Sequence, residues 1–180
     1  STLMRSSAAS DVYKRQAVRM SGIDLSFVSG KEKFNYRVCA VILSEGKLLA
    51  MHDERSPYYY LPGGRVQMGE TAEDAVVREV QEELAVTPEI IRPLWLNQAF
   101  FTEDVDGLHY HELCLYFLMD ISHTDLLSKG EKFTLLERHH THKFEWLPFE
   151  RLEREYFYPL FLKKEIFHLP EALTLRTELE

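Results

Sequence analysis

The chain is expected to fold as one α/β domain in which helices pack against a mixed β-sheet. Three observations predict this. Strand-like runs rich in β-branched and aromatic residues alternate with segments of helical period. The stretch from Thr71 to Leu84 places Ala72, Ala75, Val76, Val80 and Leu84 on one helical stripe, so it must bury that stripe against something. A length of 180 residues, with no repeats or low-complexity tracts, suits one domain with a sizeable core.

The elements follow in order. Tyr36 to Leu43 (YRVCAVIL) reads as a buried strand. Glu45-Gly46 turns the chain, and Lys47 to His52 returns as a second strand. A polar loop covers Asp53 to Pro57, and Tyr58 to Leu61 is a short aromatic strand feeding the turn Pro62-Gly63-Gly64. Thr71 is placed to cap the following helix, with Asp74 three residues on as an approximate capping-box acid. Pro88 marks the exit. Leu94 to Thr102 and Leu108 to Asp120 form a hairpin around the turn at 103–107. His123 to Lys143 is polar and reads as a loop, Lys143 to Leu147 as a short strand. Short helices start at Leu147-Pro148 and cover Leu160 to Phe167.

Composition narrows the function. Apolar residues make up 45% and charged residues 28%, ordinary for a soluble globular protein. The formal net charge is −8, which argues against a surface that coats a nucleic-acid polymer. An acidic protein that handles nucleotides needs a cation and local Arg or Lys in its pocket. The longest apolar run, Leu113 to Met119, falls far short of the ~18 residues that span a membrane. Cys39 and Cys114 lie in apolar strand-like runs and read as reduced core thiols, with neither metal-ligand nor disulfide spacing. A cytoplasmic enzyme is the expectation.

The beginning of the chain is set apart. Ser1 to Gln16 is polar and aperiodic and lacks the apolar region of a secretory signal. Asp11-Val12-Tyr13-Lys14-Arg15-Gln16 resembles the in-frame translation of a transposase sequencing adapter, which would make the upstream segment non-native and Met20 the natural start. The alternative is an ordinary N-terminal tail.

The chemistry concentrates in Gly64 to Val86, GRVQMGETAEDAVVREVQEELAV. Glu79, Glu82 and Glu83 project to one side of the helix. Like charges at these spacings cost roughly 0.2–0.5 kcal/mol per pair, so a cation among them is the simplest justification. Hard divalent ions, Mg²⁺ above all, take carboxylate oxygens and recruit phosphate as a further ligand. The competing reading is a solvated acidic helix face.

This stretch resembles the Nudix box, G-x5-E-x7-R-E-U-x-E-E-x-G-U with U aliphatic. Gly64, Glu70, Arg78-Glu79, Val80, Glu82-Glu83 and Val86 fill its positions. Ala85 stands where the family has a second glycine, the left-handed residue that ends the helix. Alanine there is expected to cost roughly 1 kcal/mol or to alter the helix end, without loss of chemistry. The resemblance implies the family's α/β/α sandwich over roughly Phe34 to Leu169, with tails at 1–33 and 170–180.

By resemblance, Glu79, Glu82 and Glu83 bind the metal, Mg²⁺ or alternatively Mn²⁺, and Glu79 and Glu82 carry the catalysis. Glu79 binds metal or orients the attacking water, and the backbone carbonyl of Gly63 completes the ion's shell. Arg78 pairs with Glu70 and so orients the carboxylates. Arg65 is a candidate phosphate contact, with Arg55 and Lys47 weaker ones of the same kind. Tyr60 and Phe101, among the aromatics Tyr58, Tyr59, Tyr60, Phe100 and Phe101, are candidates to stack on a base. Glu112 interrupts an otherwise apolar strand and is a candidate for a place near metal or substrate. Glu131 and Glu137 on the loop after the hairpin, and Glu145 near its end, are alternative general bases, with ordinary solvated acids as the competing reading. His139-His140-Thr141-His142 reads as solvated, with a phosphate contact as the alternative.

The implied reaction is metal-dependent hydrolysis of the diphosphate linkage in a nucleoside diphosphate joined to a group X. The products are a nucleoside monophosphate and phospho-X. Alternatives are a MutT-like triphosphatase that releases pyrophosphate, and a Nudix-fold nucleotide-binding module without catalysis. The expected partner is a small nucleotide, with a homodimer plausible from the family. Neither the proline typical of ADP-ribose hydrolases nor the tyrosine of dinucleoside polyphosphate hydrolases stands at Ala99-Phe100-Phe101-Thr102.

Overall fold

The computed structural model describes residues 22–54, 56–103, 106–137 and 140–180, with only the backbone of Glu137. The expectations placed on residues 1–16, Met20, Arg55, His139 and the Glu137 side chain lie outside this description. The described elements are β1 (Ser26–Ser29), β2 (Glu32–Ser44), β3 (Lys47–His52), β4 (Gly63–Arg65), α1 (Ala72–Leu84), β5 (Glu89–Thr102) and β6 (His109–Asp120). They continue with a 3₁₀ turn (Leu126–Lys129), β7 (Lys132–Glu137), β8 (His140–Pro148), α2 (Phe149–Leu152), α3 (Leu162–Glu165) and β9 (Thr174–Leu179).

All nine strands join one mixed sheet in the order β7-β8-β3-β2-β6-β5-β9, with β1 and β4 also paired to β2. The centre is a parallel ladder between β2 and β6, from Glu32 beside His109 to Ile42 beside Met119. The β5–β6 pair is the expected hairpin, antiparallel through Thr102 beside His109. Alternation along β2 divides the core. Val38, Ala40 and Ile42 pack with Ala75, Val76, Val80 and Leu84 of α1. Cys39 and Val41 face the other way, onto Leu152, Phe157, Phe161, Leu162 and Ile166 around α2 and α3. Helical segments thus cover both faces of the sheet, the α/β/α arrangement. No helix among the described residues is long and apolar enough to cross a membrane.

Thr71 caps α1 as expected, its Oγ1 accepting from the Asp74 N–H at 3.1 Å. Ala85 ends it in the left-handed region, φ 58° and ψ 28°, with its N–H donated to the Gln81 carbonyl. The family's backbone conformation survives without the family's glycine.

Several expectations need correction. The expected loop at 123–143 contains strand at 132–137 and from 140 onward: β7 and β8 pair antiparallel there, Lys132 beside Glu145 through Glu137 beside His140. His140 and His142 stand on β8, and His142 is buried rather than solvated. The stretch 170–180 is not wholly a tail, because β9 lies parallel to β5 from Trp95 beside Thr174 to Phe100 beside Leu179. At the other end β1 pairs with β2 from Ser26 beside Asn35 to Ser29 beside Glu32, inside the expected N-terminal tail. Tyr58 to Leu61 contributes isolated bridges, Met51 to Tyr60 and Tyr59 to Phe157, rather than a strand.

Candidate active site

Arg78 is the hub of the site. Its Nε and Nη2 donate to the two oxygens of Glu70 at 2.7 and 2.9 Å, a bidentate fork. Nη1 donates to Glu79 at 2.6 Å and lies 3.7 Å from Glu82, while Nη2 also reaches the Arg65 carbonyl at 3.0 Å. One side chain therefore ties together the loop after the glycine turn, the strand β4 and two of the helix carboxylates. The expected Glu70–Arg78 pair is present, and the links to Glu79 and Glu82 extend it.

Glu70 also accepts the Gln67 N–H at 3.0 Å. Burial alone would raise its pKa, but the hydrogen bonds from Arg78 and Gln67 outweigh burial and hold the carboxyl below the ordinary range. Glu79 goes the other way. Burial pushes it up, the bond from Arg78 pulls it down, and the nearby Glu82 charge adds to the rise. Glu83 is buried and accepts the Gly63 N–H at 3.0 Å.

The two glycines of the turn are required by contact. A Cβ at Gly63, where φ is 147°, would stand 2.2 Å from the Val38 carbonyl oxygen of β2. One at Gly64 would stand 2.4 Å from the Glu79 carboxyl. Glycine is required at both positions by close approach, to β2 at Gly63 and to Glu79 at Gly64.

Glu79, Glu82 and Glu83 are donors of the type a hard divalent ion takes, and burial disfavours the anionic form of Glu79. In this structure Glu79 and Glu82 turn to Arg78, and Glu83 turns to Gly63. Among the described residues no three His, Cys, Asp or Glu side chains gather as for a metal ion.

Other expected residues scatter. Arg65 contributes its carbonyl to Arg78, and its side chain lies 3.4 Å from Asp24. Tyr60 donates to Asp53 at 3.3 Å; burial, then the charges of Asp53 and Glu83, push its phenol up. Phe101 stacks on Tyr110 at 5.0 Å. Glu112 accepts from Asn35 Nδ2 at 3.3 Å, on the sheet face turned away from α1. Lys47 and Glu131 pair with each other at 2.5 Å. Glu145 is buried under Tyr59, Lys132 and Arg151, which makes it a structural anchor. Cys39 and Cys114 are free, buried thiols with sulfurs 3.5 Å apart. Two features escaped the sequence: Arg37, and the cluster of Tyr58 with Tyr156 and Tyr158 at 5.6 and 5.1 Å. No spacing rule announces either.

Comparisons with known proteins bear on this geometry. A model of the NUDIX domain matches residues 33–166. An ADP-ribose pyrophosphatase from Methanocaldococcus jannaschii is 32% identical over 87 residues, 47% of this chain and 49% of that protein. An 8-oxo-dGTP diphosphatase from Escherichia coli is 64% identical over 28 residues, 16% of this chain and 22% of that protein. The matched stretch thus spans about half, or less, of the length of these relatives. Among solved structures, a mutator MutT protein from Bacillus halodurans has a TM-score of 0.54 at 16% identity, covering 79% of this chain and 88% of that one. That likeness shows the fold. The domain match takes in strands β2 to β8 but for the first residue of β2, with the glycine turn and the carboxylate helix, and the chain belongs to the Nudix domain family.

Proposed function

We propose that the chain hydrolyses the diphosphate linkage of a nucleoside diphosphate joined to a group X. Water attacks one phosphorus, the bridging P–O bond breaks, and a nucleoside monophosphate and phospho-X leave. The observation that carries this is the Arg78 fork, which fixes Glu70, Glu79 and Glu82 against the Gly63-Gly64 turn. Glu79, Glu82 and Glu83 would hold the divalent ion, Mg²⁺ or Mn²⁺, with the Gly63 carbonyl as a further candidate. When bound, such an ion neutralises charge on the phosphate oxygens. Glu79, raised by burial, is suited to hold and release a proton of the attacking water. Arg78 orients Glu79 through a hydrogen bond and Glu82 through a longer ion pair, and touches no substrate. Tyr60 and Phe101 remain the aromatic candidates for the base.

The archaeal ADP-ribose pyrophosphatase supports the choice of an X-linked diphosphate, because its match runs over 87 residues. The Escherichia coli relative matches over 28 residues, and it favours the triphosphatase as the second reading. The non-catalytic module is disfavoured by the retention of Glu70, Glu79, Glu82 and Glu83.

The test is a hydrolysis screen with Mg²⁺ over ADP-ribose, nucleotide sugars, dinucleoside polyphosphates, and normal and oxidised dNTPs. Glu82→Gln serves as the control. The expected outcome is monophosphate release from an X-linked diphosphate, reduced roughly 10³-fold or more in a folded Glu82→Gln protein. Pyrophosphate release from dNTPs alone would select the second reading. Turnover that survives in Glu82→Gln would sink the role of the carboxylates.

A further inference from the structure

The sheet face turned away from α1 carries a polar row that the reaction above does not use. Strand pairing sets Arg65 of β4 beside Arg37 of β2, and Arg37 beside Cys114 of β6. It sets Cys114 beside Asn97 of β5, and Asn97 beside Arg176 of β9. Residues opposed in register share a face, so three guanidiniums and an amide stand in one line across five strands. The row is under-satisfied: Arg65 Nε, Asn97 Oδ1 and Arg176 Nε are buried without a hydrogen-bond partner.

Arg176 is otherwise accounted for, bonded to Glu165 and lying 4.3 Å from the Phe161 ring centroid. The other two arginines are not. Among the described residues the Arg65 side chain has only the long 3.4 Å approach to Asp24. Arg37 is only partly exposed, and among the described residues its guanidinium makes no side-chain hydrogen bond and no close ion pair. Its opposite charge is Glu112, which acts on it through space; burial opposes the cation, and Glu112 helps to keep it. Glu112 is held in turn, accepting from Asn35 Nδ2, while Asn35 Oδ1 accepts from Ser26 at 2.6 Å. Two guanidiniums side by side repel each other, and among the described residues neither has a carboxylate bonded to it at short range. An anion between them removes both difficulties.

The position fits a nucleotide. Val38 and Cys39 pair with Gly64 and Gly63, the glycines that touch Glu79 and Glu83. Arg37 is two residues further back along β2, roughly 7 Å away. Its charge is felt at the Glu79 carboxyl on one side and at the Tyr58 and Tyr60 phenols on the other.

We propose that Arg37, with Arg65 beside it, binds the phosphate groups of the substrate on the face of the sheet opposite α1, where Glu112 is the neighbouring negative charge with which the anion competes. A planar guanidinium matches two phosphate oxygens at once, which a lysine ammonium cannot do. The identity of the anion rests on the nucleotide-hydrolysis reading; the anion site itself does not.

The test is calorimetric titration of the full chain with inorganic pyrophosphate in chelating buffer, with thermal melts of every variant. The wild type is expected to bind, and Arg37→Met to bind roughly 10- to 100-fold more weakly, the loss of a charge-assisted bidentate contact. Arg37→Lys is expected to fall between them. Glu112→Gln is expected to bind at least as tightly as the wild type, since it removes a neighbouring negative charge. A flat wild-type titration into the millimolar range would overturn the proposal, as would wild-type affinity in Arg37→Met. Should Arg37→Met fail to fold, wild-type affinity in Arg37→Lys would overturn it instead. A purely structural Arg37 would shift the melts and leave pyrophosphate affinity unchanged. The hydrolysis screen fails separately: a chain that binds pyrophosphate through Arg37 but cleaves no X-linked diphosphate keeps the anion site and loses the function.

Discussion

At the scale of single residues, the part of the site legible in sequence is the part fixed by spacing within one helix and its entry loop. Glu70 and Arg78 are eight residues apart, and the fork joins them. Arg37 was invisible for the opposite reason: one arginine in an apolar strand has no internal partner, and only register sets it beside Arg65. Ala85 shows a residue bending to its neighbours. It adopts φ 58° because its N–H is held by Gln81 and the chain must turn into β5. The left-handed conformation costs an L-residue roughly 1–2 kcal/mol. Glycine would remove that cost but lose roughly 0.4–1 kcal/mol through its greater freedom when unfolded. The strain wins, so Ala85→Gly is expected to stabilise the fold by roughly 0.5–1 kcal/mol, a rise in Tm of about 1–4 °C. A lower Tm would mean that Ala85 makes compensating contacts.

At the scale of elements, alternation was readable where apolar residues face the core and unreadable where they do not. β2 and β6 are apolar on both faces and stood out. Lys143 to Leu147 was readable as a strand, but β7 and the start of β8 were hidden because polar residues and histidines interleave with Phe133, Leu135, Phe144 and Trp146, which do the packing. What ties this part of the sheet to the following helix is Glu145, buried on β8. It accepts from Tyr59 at 2.8 Å and from Arg151 at 2.6 Å, with Lys132 at 3.1 Å. Burial would raise its pKa, but these bonds outweigh burial and hold it below the ordinary carboxylate range. The sign follows. A carboxyl depressed in the folded state contributes stability in full above its unfolded value, about 4.3, and loses it as pH falls toward the folded value. Urea unfolding from pH 7 to pH 3 is therefore expected to show stability falling below about pH 4.3, with a shallower fall in Glu145→Gln. At pH 7 that variant is expected to be roughly 1–3 kcal/mol less stable, because buried donors lose a charged acceptor. Equal pH slopes in the two proteins would show that Glu145 does not carry the effect.

At the scale of the whole molecule, one edge of the sheet is closed by β9, whose pattern is inverted. Leu175 and Leu179 are exposed, while Arg176 and Glu178 point inward, so hydrophobic patterning gives no hint of a strand. The leucines add little, and the backbone cannot hold the strand alone. Ordering six residues costs roughly 1–2 kcal/mol each, against roughly 1 kcal/mol for each ladder hydrogen bond. The decision falls to side chains: Arg176 on Glu165 and Phe161, and Glu178 accepting from Asn97 Nδ2 at 2.7 Å. β9 is thus held by polar clamps to the segment that covers the second face of the sheet, the face that also bears Arg37. Arg176→Ala is expected to release it. Amide hydrogen exchange should then speed up along Thr174–Leu179 and at the β5 amides that pair with it, with protection retained in the β2–β6 ladder. Leu175→Ser, which removes as much apolar surface from the same strand without touching a clamp, should leave exchange unchanged. Loss of protection in Leu175→Ser but not in Arg176→Ala would reverse the assignment and make apolar contact the force that closes the sheet.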